Sequence, residues 1–379
     1  MGRDVSNQPG GDPAPASSDT ETTTPEAPAK ARLFGRGNII TAVVAVVIIA
    51  AIVALNVIHV PVAILRPGPV TNTLGTIDGK PVIQIDGAKR YPATGNLDFT
   101  TVSMAGGPQY PVSVMEWLRA KLDSNAEIDP ESEWFQTGVT SQEVQQQGNV
   151  EMTNSQETAE VVALRAAGYT VPEKITVAGL EPKAAATGYF TTGDVLVSLG
   201  GHPVTTLDSI SSYMSTVTPG SKVAVVVTRS GKRMTLQVPT ANDGSGHAVF
   251  GIEVVPSYTF PVKITVNAGD VGGPSAGTMF TLGIYDLLTS GSLTGGNKIA
   301  GTGTMAEDGT VGPIGGIRQK MLGAKGAGAK FFLAPDSDCS EAKGHIPSGL
   351  TVIEINSFSD ALTVVKEIAA GKTSGFPGC

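Results

Sequence analysis

The chain has 379 residues, 41% of them hydrophobic and only 16% charged, and its formal net charge at pH 7 is −8. This acidic balance, without a visible basic stripe, argues against nucleic-acid binding. The 47 glycines predict a loop-rich α+β protein, and the roughly 300 residues that follow the N-terminal segments are enough for two domains.

The N-terminal residues predict a membrane anchor. Residues 1–37 are rich in Pro, Ser, Thr, Ala and Gly and predict a disordered tail, because they offer almost no apolar side chains for a core. The uncharged residues that follow predict one transmembrane helix over residues 38–60, since about 20 helical residues cross the hydrocarbon core. A cleaved signal peptide is the alternative, but its apolar part is usually shorter and nearer the N-terminus. Lys30, Arg32 and Arg36 predict a cytoplasmic N-terminus, with the catalytic part on the other side of the membrane.

Residues 66–170 predict the first part of a domain that is completed later in the chain. The predicted elements are strands over residues 70–88 and 97–104 and helices over residues 112–122 and 155–167. The polar residues 142–147 predict a mobile connection between the two helices.

Residues 171–241 predict a separate, β-rich unit. An apolar strand opens with Gly193 and Asp194, an amphipathic helix follows over residues 207–217, and two strands are joined by the hairpin turn Ser230-Gly231. The spacing of glycine, aspartate and apolar residues from Gly193 to Gly201 resembles a bacterial PDZ domain. The resemblance implies a groove that takes up an extended peptide as an additional strand.

Two sets of residues are candidates for that peptide-binding groove. The loop over residues 167–171, with Gly168 and Tyr169, is the candidate for binding a terminal carboxylate, because it precedes a predicted strand. Leu207, Ile210 and Met214 share one face of the helix and are the candidates for its apolar wall. For these three the alternative is a stripe that packs the unit's own core.

The segment over residues 270–280, DVGGPSAGTMF, places a serine between an alternating strand and an apolar helix. A hydroxyl at a helix N-terminus lies beside free backbone N–H groups, which favour negative charge. Acyl transfer needs this arrangement, since the tetrahedral intermediate carries an oxyanion next to the nucleophile. An ordinary N-cap is the alternative for Ser275. The backbone around Gly273, Pro274 and Ala276 is the candidate oxyanion site.

A second glycine-rich turn over residues 311–320, VGPIGGIRQK, leads into a helix that carries Lys320. Together with G-P-S-A-G around Ser275, and in the same order, this P-I-G-G-x-x-x-K pattern resembles the bacterial Lon-type Ser-Lys peptidases. The resemblance covers essentially everything from residue 65 onward, and it implies a Lon-type peptidase domain formed by residues 66–170 and 246–372. It further implies Ser275 as nucleophile, Lys320 as general base and Thr302 as hydroxyl partner of the lysine. The sequence departs from many Lon enzymes at Gly272 and Thr304, where those enzymes carry acidic residues.

The chemistry of this pair requires a buried lysine. A serine becomes a nucleophile when a base takes its proton, and a lysine can do so only when neutral. Ile314, Ile317, Met321 and Leu322 surround Lys320 in sequence, and burial among apolar side chains lowers the pKa of a lysine by up to roughly 3–5 units.

Other interpretations of the same residues stay open. Ser275 also satisfies the G-x-S-x-G pattern of α/β-hydrolases, for which His345, with Asp336 or Asp338, is the only triad in the right chain order. A non-catalytic PDZ scaffold in the cell envelope is a second alternative. Self-processing, with residues 130–147 as the substrate, is a third.

The two cysteines, Cys339 and Cys379, are candidates for a disulfide that would pin the tail over residues 373–379 to the domain. No metal site is expected from their spacing, and no cofactor. Gly371-Lys372-Thr373 ends like a P-loop, but Lys366 stands where the leading glycine is needed, so we expect ATP-independent proteolysis of proteins or peptides. The family resemblance also implies a ring-shaped homo-oligomer.

Overall fold

Nine α-helices and twenty β-strands make up residues 36–379, the part of the chain that the computed structural model describes. The predicted tail, apart from its last two residues, lies outside this part. The helices are α1 (Arg36–Val57), α2 (Val114–Ala120), α3 (Glu131–Trp134), α4 (Ser141–Ala166), α5 (Leu207–Met214), α6 (Gly277–Leu288), α7 (Ile317–Gly326), α8 (Cys339–Ala342) and α9 (Phe358–Ala369). The strands are β1 (Val62–Asn72), β2 (Thr76–Ile77), β3 (Lys80–Pro81), β4 (Ile83–Asp86), β5 (Asn96–Ala105), β6 (Glu127–Pro130), β7 (Glu173–Leu180), β8 (Val195–Leu199), β9 (His202–Pro203), β10 (Lys222–Arg229), β11 (Lys232–Pro239), β12 (Ala241–Asn242), β13 (Ala248–Val249), β14 (Ile252–Tyr258), β15 (Lys263–Val266), β16 (Lys298–Gly301), β17 (Thr304–Met305), β18 (Val311–Gly312), β19 (Phe331–Pro335) and β20 (Thr351–Ile355).

The first helix, α1, is long and apolar enough to cross a membrane. Ile39–Val57 contains no charged residue, glycine or proline, and almost all of its side chains are exposed. The helix begins two residues before the predicted transmembrane segment and ends three residues before its predicted end. It is one candidate membrane span, by length and composition.

The first sheet has six strands in the order β20-β19-β16-β5-β1-β6. The neighbours β5, β16, β19 and β20 run parallel, whereas β1 is antiparallel to both β5 and β6. Side chains of β19 alternate between two cores: Phe331 and Leu333 contribute to the larger one, and Phe332 and Ala334 to the one below α7. Helices therefore cover both faces of a mixed sheet, and the predicted α+β class is confirmed.

Helix α6 is the central helix of the larger core. Eleven of its twelve residues are buried, all except Tyr285, which agrees with its almost continuous apolar sequence. Phe280 packs edge-on against Phe99 of β5, with ring centroids 5.3 Å apart. The helix N-terminus, which follows Ser275, is thereby fixed relative to the first sheet.

A second sheet has the order β11-β10-β8-β7-β14 and encloses its own core with α5. Ser230 and Gly231 both have positive φ, as a two-residue type I′ hairpin requires, and they join β10 to β11 as predicted. The sheet extends beyond residue 241, the predicted end of this unit. β14 pairs with β7 along its whole length, so the sheet continues to Tyr258.

The polar residues 142–147 are helical, and the prediction of a mobile connection there was wrong. They lie in the first turns of α4, which begins with a capping box: the Glu143 N–H donates to Oγ1 of Thr140 at 3.2 Å, and the Thr140 N–H donates to the Glu143 carboxylate at 2.7 Å. Glutamine and glutamate are good helix formers, so the polar composition is no obstacle to a helix.

The C-terminal tail is attached to the domain by a disulfide between Cys339 and Cys379. The ring of Phe376 also packs edge-on against Phe331, and the Glu354 N–H donates to the carbonyl of Pro377 at 3.2 Å. Residues 373–379 therefore lie along β20 rather than apart from the fold.

Candidate active site

Ser275 lies in the turn that leads into α6, half-buried and directly after Gly272, Gly273 and Pro274. Its carbonyl oxygen accepts hydrogen bonds from the Gly303 N–H at 2.9 Å and from Oγ1 of Thr302 at 3.0 Å. Both donors come from the loop that follows β16. The backbone of Ser275 is therefore held by a neighbouring strand as well as by its own helix.

Lys320 lies in the first turn of α7 and is only 3% exposed. Its Nζ donates to Oγ1 of Thr302 at 3.2 Å. Burial lowers the pKa of Lys320 to about 7, although the negative charges of Asp338 and Glu341 act in the opposite direction. A large fraction of this lysine is therefore neutral at neutral pH, as a general base must be.

Ser275 and Lys320 line the same open cavity of about 800 Å³. Its walls come from β5, from the glycine-rich turns at residues 270–275 and 313–315, and from Trp134 of α3. No hydrogen bond joins Oγ of Ser275 to Nζ of Lys320 within residues 36–379, and Thr302 bonds to both residues instead. Catalytic hydrogen bonds are often long in free enzymes and tighten when substrate binds.

The predicted oxyanion site needs correction at two of its three residues. The Gly273 N–H donates to the carbonyl of Gly148 in α4 at 3.0 Å, and Pro274 has no N–H to offer. By contrast, no acceptor in the described chain takes the N–H of Ser275 or of Ala276. These two N–H groups at the start of α6 are the donors that remain for an oxyanion.

Asp338 belongs to this site, although its sequence neighbourhood predicts a polar surface loop. It is buried, its Oδ2 accepts from the Ile314 N–H at 3.0 Å, and its charge acts on Lys320. One sequence signal could have indicated this position. Asp338 and Thr302 each follow one of two neighbouring parallel strands, β19 and β16, whose carboxyl ends lie at the same edge of the sheet.

The alternative triad is not assembled. His345 is exposed in the turn after α8 and does not line the cavity of Ser275. Among the described residues one group has metal-ligand spacing, Asp336, Cys339 and Glu354, but the sulfur of Cys339 is bonded to Cys379.

The carboxylate loop predicted at residues 167–171 is the end of helix α4. The Gly168 N–H donates to Arg165 and the Tyr169 N–H to Leu164, a Schellman motif with Gly168 at φ 88°. Tyr169 packs against the larger core. These N–H groups are used within the helix terminus and cannot bind a carboxylate, so this prediction was wrong.

The groove of the second sheet lies instead between α5 and β14. It has a volume of about 570 Å³ and is lined by Ile210 and Met214 from α5 and by Ile252 and Val254 from β14, among others. Leu207, Ile210 and Met214 all pack against the core of the unit, as the alternative interpretation predicts, and Ile210 and Met214 also line the groove. β14 is the last strand of its sheet, so one edge has no strand partner in the described chain, and the turn at Phe250-Gly251 precedes it.

Two family models match the chain. Residues 245–368 match the Lon protease (S16) C-terminal proteolytic domain, and residues 144–240 match the PDZ domain. Similar curated proteins are bacterial Lon proteases: that of Campylobacter concisus is 26% identical over 38% of this chain and 18% of its own length. The Lon protease of Rickettsia conorii is 32% identical over 32% of this chain and 16% of its own length. The Lon protease of Desulfatibacillum aliphaticivorans is 35% identical over 29% of this chain and 14% of its own length. The chain thus spans less than a fifth of these relatives.

Two solved structures are similar to the second unit. The PDZ domain of an SdrC-like protein from Listeria innocua is 17% identical over 21% of this chain and 92% of that chain, with a TM-score of 0.21. A solution structure from Geobacillus thermodenitrificans is 22% identical over 21% of this chain and 94% of that chain, with a TM-score of 0.20.

Proposed function

We propose that this chain, which carries the serine-peptidase domain of Lon proteases and a PDZ domain, is a membrane-anchored, ATP-independent endopeptidase. One observation carries the catalytic part of the proposal. A lysine with a pKa of about 7 is buried in the cavity that Ser275 lines, and both bond to Thr302.

In the proposed reaction, neutral Lys320 takes the proton of the Ser275 hydroxyl while Oγ attacks the substrate carbonyl. The N–H groups of Ser275 and Ala276 bind the oxyanion of the tetrahedral intermediate. Lys320 then gives its proton to the leaving amine, and an acyl-enzyme remains on Ser275. A water molecule, deprotonated by Lys320, attacks this ester and releases the carboxylate product with the proton returned to Ser275.

In this proposal the PDZ domain recruits protein substrates or regulates their access to Ser275. Its groove between α5 and β14 is lined by apolar side chains, which suits the apolar end of a protein tail added as a strand beside β14. The chain passes from β14 through β15 into the turn that carries Ser275. A bound tail would therefore lie on a segment that continues directly to the nucleophile.

The proposed location of the peptidase domain is supported by α1 and by the charges that precede it. α1 is a single candidate span, and basic residues precede it, which favours a peptidase domain on the far side of the membrane. Alkaline extraction and protease protection of intact cells test this topology.

Because no P-loop pattern occurs in the sequence, added ATP should leave the rate of cleavage unchanged. Light scattering of the detergent-solubilised protein tests the proposed homo-oligomer.

The test of the catalytic proposal uses the full-length protein in detergent, incubated with unfolded casein. We expect cleavage by the parent protein and its loss in Ser275→Ala and in Lys320→Ala, with circular dichroism unchanged. His345→Ala is the matched control and should cleave normally, because His345 is exposed and outside the cavity. Cleavage that survives Lys320→Ala but needs His345 would contradict the dyad. Absence of cleavage in the parent, with tails still bound to the PDZ domain, would support the scaffold instead.

A further inference from the structure

Trp134, the last residue of the short helix α3, and Phe135, which follows it, each place an aromatic ring directly on a glycine. A Cβ atom at Gly315 would lie 2.7 Å from Cη2 of Trp134, and a Cβ atom at Gly107 would lie 2.8 Å from the ring of Phe135. Contacts this close do not occur for real side chains, so each ring occupies the space that a glycine leaves free. Gly315 belongs to the turn before Lys320. Close packing on Gly315 therefore fixes the position of the Trp134 ring over this turn.

The indole of Trp134 is also held at its polar end. Its Nε1–H donates to Oδ2 of Asp129 at 2.9 Å, and Asp129 lies in β6, paired with Ala63 of β1. With the N–H satisfied, the part of the ring that reaches the cavity of Ser275 and Lys320 is apolar.

We propose that Trp134 determines specificity by binding a large apolar side chain of the substrate next to the scissile bond. This inference rests on the proposed function and names the substrate class for its site. A peptide whose carbonyl lies at Ser275 has a neighbouring side chain within reach of the same cavity, one wall of which is the indole.

The surroundings of the indole favour an apolar side chain over an acidic one. Val102, Met104 and Ile314 line the same cavity, which gives an apolar residue several partners besides Trp134. The carboxylates of Glu151 and Asp270 also border the cavity and repel a negative charge. We therefore expect cleavage beside leucine, methionine, phenylalanine or similar residues, and not beside aspartate or glutamate.

The first test measures specificity with the full-length protein. Cleavage sites in unfolded casein are mapped by mass spectrometry, and a fluorogenic peptide built on the main site is made with Phe, Leu, Ala or Asp at the flanking position. We expect kcat/KM to be about tenfold or more higher for Phe or Leu than for Ala. In Trp134→Ala this ratio should fall to about two or less, chiefly because KM for the Phe and Leu peptides rises. Trp134→Phe should keep the ratio of the parent protein.

Trp117→Phe is the matched control, because Trp117 lies on α2, outside the cavity, and is the only other tryptophan. An unchanged ratio in Trp134→Ala, or a parent protein that does not discriminate between the peptides, would overturn the inference. In either case cleavage lost in Ser275→Ala still supports the proposed function, so the two failures are distinguishable.

A second measurement does not depend on turnover or on the folding of Trp134→Ala. In the doubly substituted protein Trp117→Phe, Ser275→Ala, Trp134 is the only source of tryptophan fluorescence. Titration with the Phe peptide should shift its emission, and the Asp peptide at the same concentrations should not. If the Phe peptide binds, as measured by anisotropy of a label on the peptide, without changing the emission, Trp134 does not contact it. If it does not bind, the inference fails as well.

Discussion

Nζ of Lys320 donates a hydrogen bond of 3.2 Å to Oγ1 of Thr302, which in turn donates to the carbonyl of Ser275 at 3.0 Å. The two residues bring together the start of α7 and the end of β16. Thr302 is completely buried, and its hydroxyl hydrogen is donated to the Ser275 carbonyl. The hydroxyl can therefore accept a hydrogen bond from Nζ but cannot donate one to it. These two hydrogen bonds through Thr302 hold the amine of Lys320 in the cavity that Ser275 also lines.

We expect loss of this hydroxyl to impair catalysis more than folding. Thr302→Val keeps the shape but leaves Nζ of Lys320 without its acceptor, while the Ser275 carbonyl keeps its bond from Gly303. If loss of the bond that orients Nζ raises the activation barrier by about 1–3 kcal/mol, the usual range for such a hydrogen bond, kcat should fall about 10–100-fold. Steady-state kinetics with the fluorogenic peptide measure it. Thr302→Ser, which keeps the hydroxyl, should restore most of the rate; equal losses in both would disprove the role of the hydroxyl.

The activity should rise with pH through about 7. The pKa of Lys320 is lowered to about 7 by burial, and only the neutral amine can accept the proton of Ser275. Below that pH, kcat/KM should therefore fall about tenfold per pH unit, and above it the rate should reach a plateau. A pH–rate profile of the free enzyme measures this midpoint. A flat profile between pH 6 and 8, or a rate that falls as pH rises, contradicts a lysine base.

Replacing Asp338 should move that midpoint to lower pH. The negative charge of Asp338 raises the pKa of Lys320 against the effect of burial, and Asp338→Asn removes it while keeping an acceptor for the Ile314 N–H. The pH–rate profile of Asp338→Asn is compared with that of Asp336→Asn, an exposed neighbour. A shift toward higher pH, or equal shifts in both variants, would show that Asp338 acts in another way.

The groove between α5 and β14 should bind apolar protein tails. Ile210→Asp places a charge in it, and we expect the affinity for a peptide with an apolar C-terminal residue to fall about tenfold or more. Isothermal titration calorimetry on the full-length protein measures the Kd. Ser212→Asp, on an exposed position of the same helix and outside the groove, is the control. Binding that withstands Ile210→Asp would place the peptide elsewhere.

The PDZ domain should depend on one buried ion pair. Asp194 is fully buried and accepts from Nε and Nη2 of Arg229, each at 2.7 Å. Arg229→Met removes its charged partner, and we expect about 2–3 kcal/mol of destabilisation, less than for a fully buried pair because Arg229 is about a third exposed. Hydrogen exchange of β8 and β10 measures this local stability. Lys222→Met, on an exposed position of β10, should change little.

The same pair has a pH dependence of known sign. Burial raises the pKa of Asp194, but the hydrogen bonds from Arg229 and from the Thr191 N–H outweigh it, so the net pKa is lowered. A carboxylate with a lowered pKa stabilises the folded state at neutral pH. That contribution is lost as pH falls below the ordinary aspartate range. Without Arg229 the effect of burial on the pKa of Asp194 is no longer outweighed, so the difference in local stability between the parent protein and Arg229→Met should shrink as pH falls.

What the sequence determined by itself is local. The glycine-rich turns before α6 and α7, the hairpin at Ser230-Gly231 and the apolar run of α1 each follow from rules that act within a few residues. Ser275, Lys320 and Thr302 could be singled out because two short motifs and the strand between them resemble the Lon-type peptidases. The capping box at Thr140 is equally local, and it starts α4 well before residue 155, where the predicted helix begins.

What only the tertiary structure decided is which distant segments meet. The Gly273 N–H donates to the carbonyl of Gly148, the ring of Trp134 packs on Gly315, and β14 rather than the end of α4 lines the apolar groove of the second sheet. Each contact joins residues far apart in the chain. It depends on strand register and on how helices pack against the sheet, and these are set by burying the whole core at once.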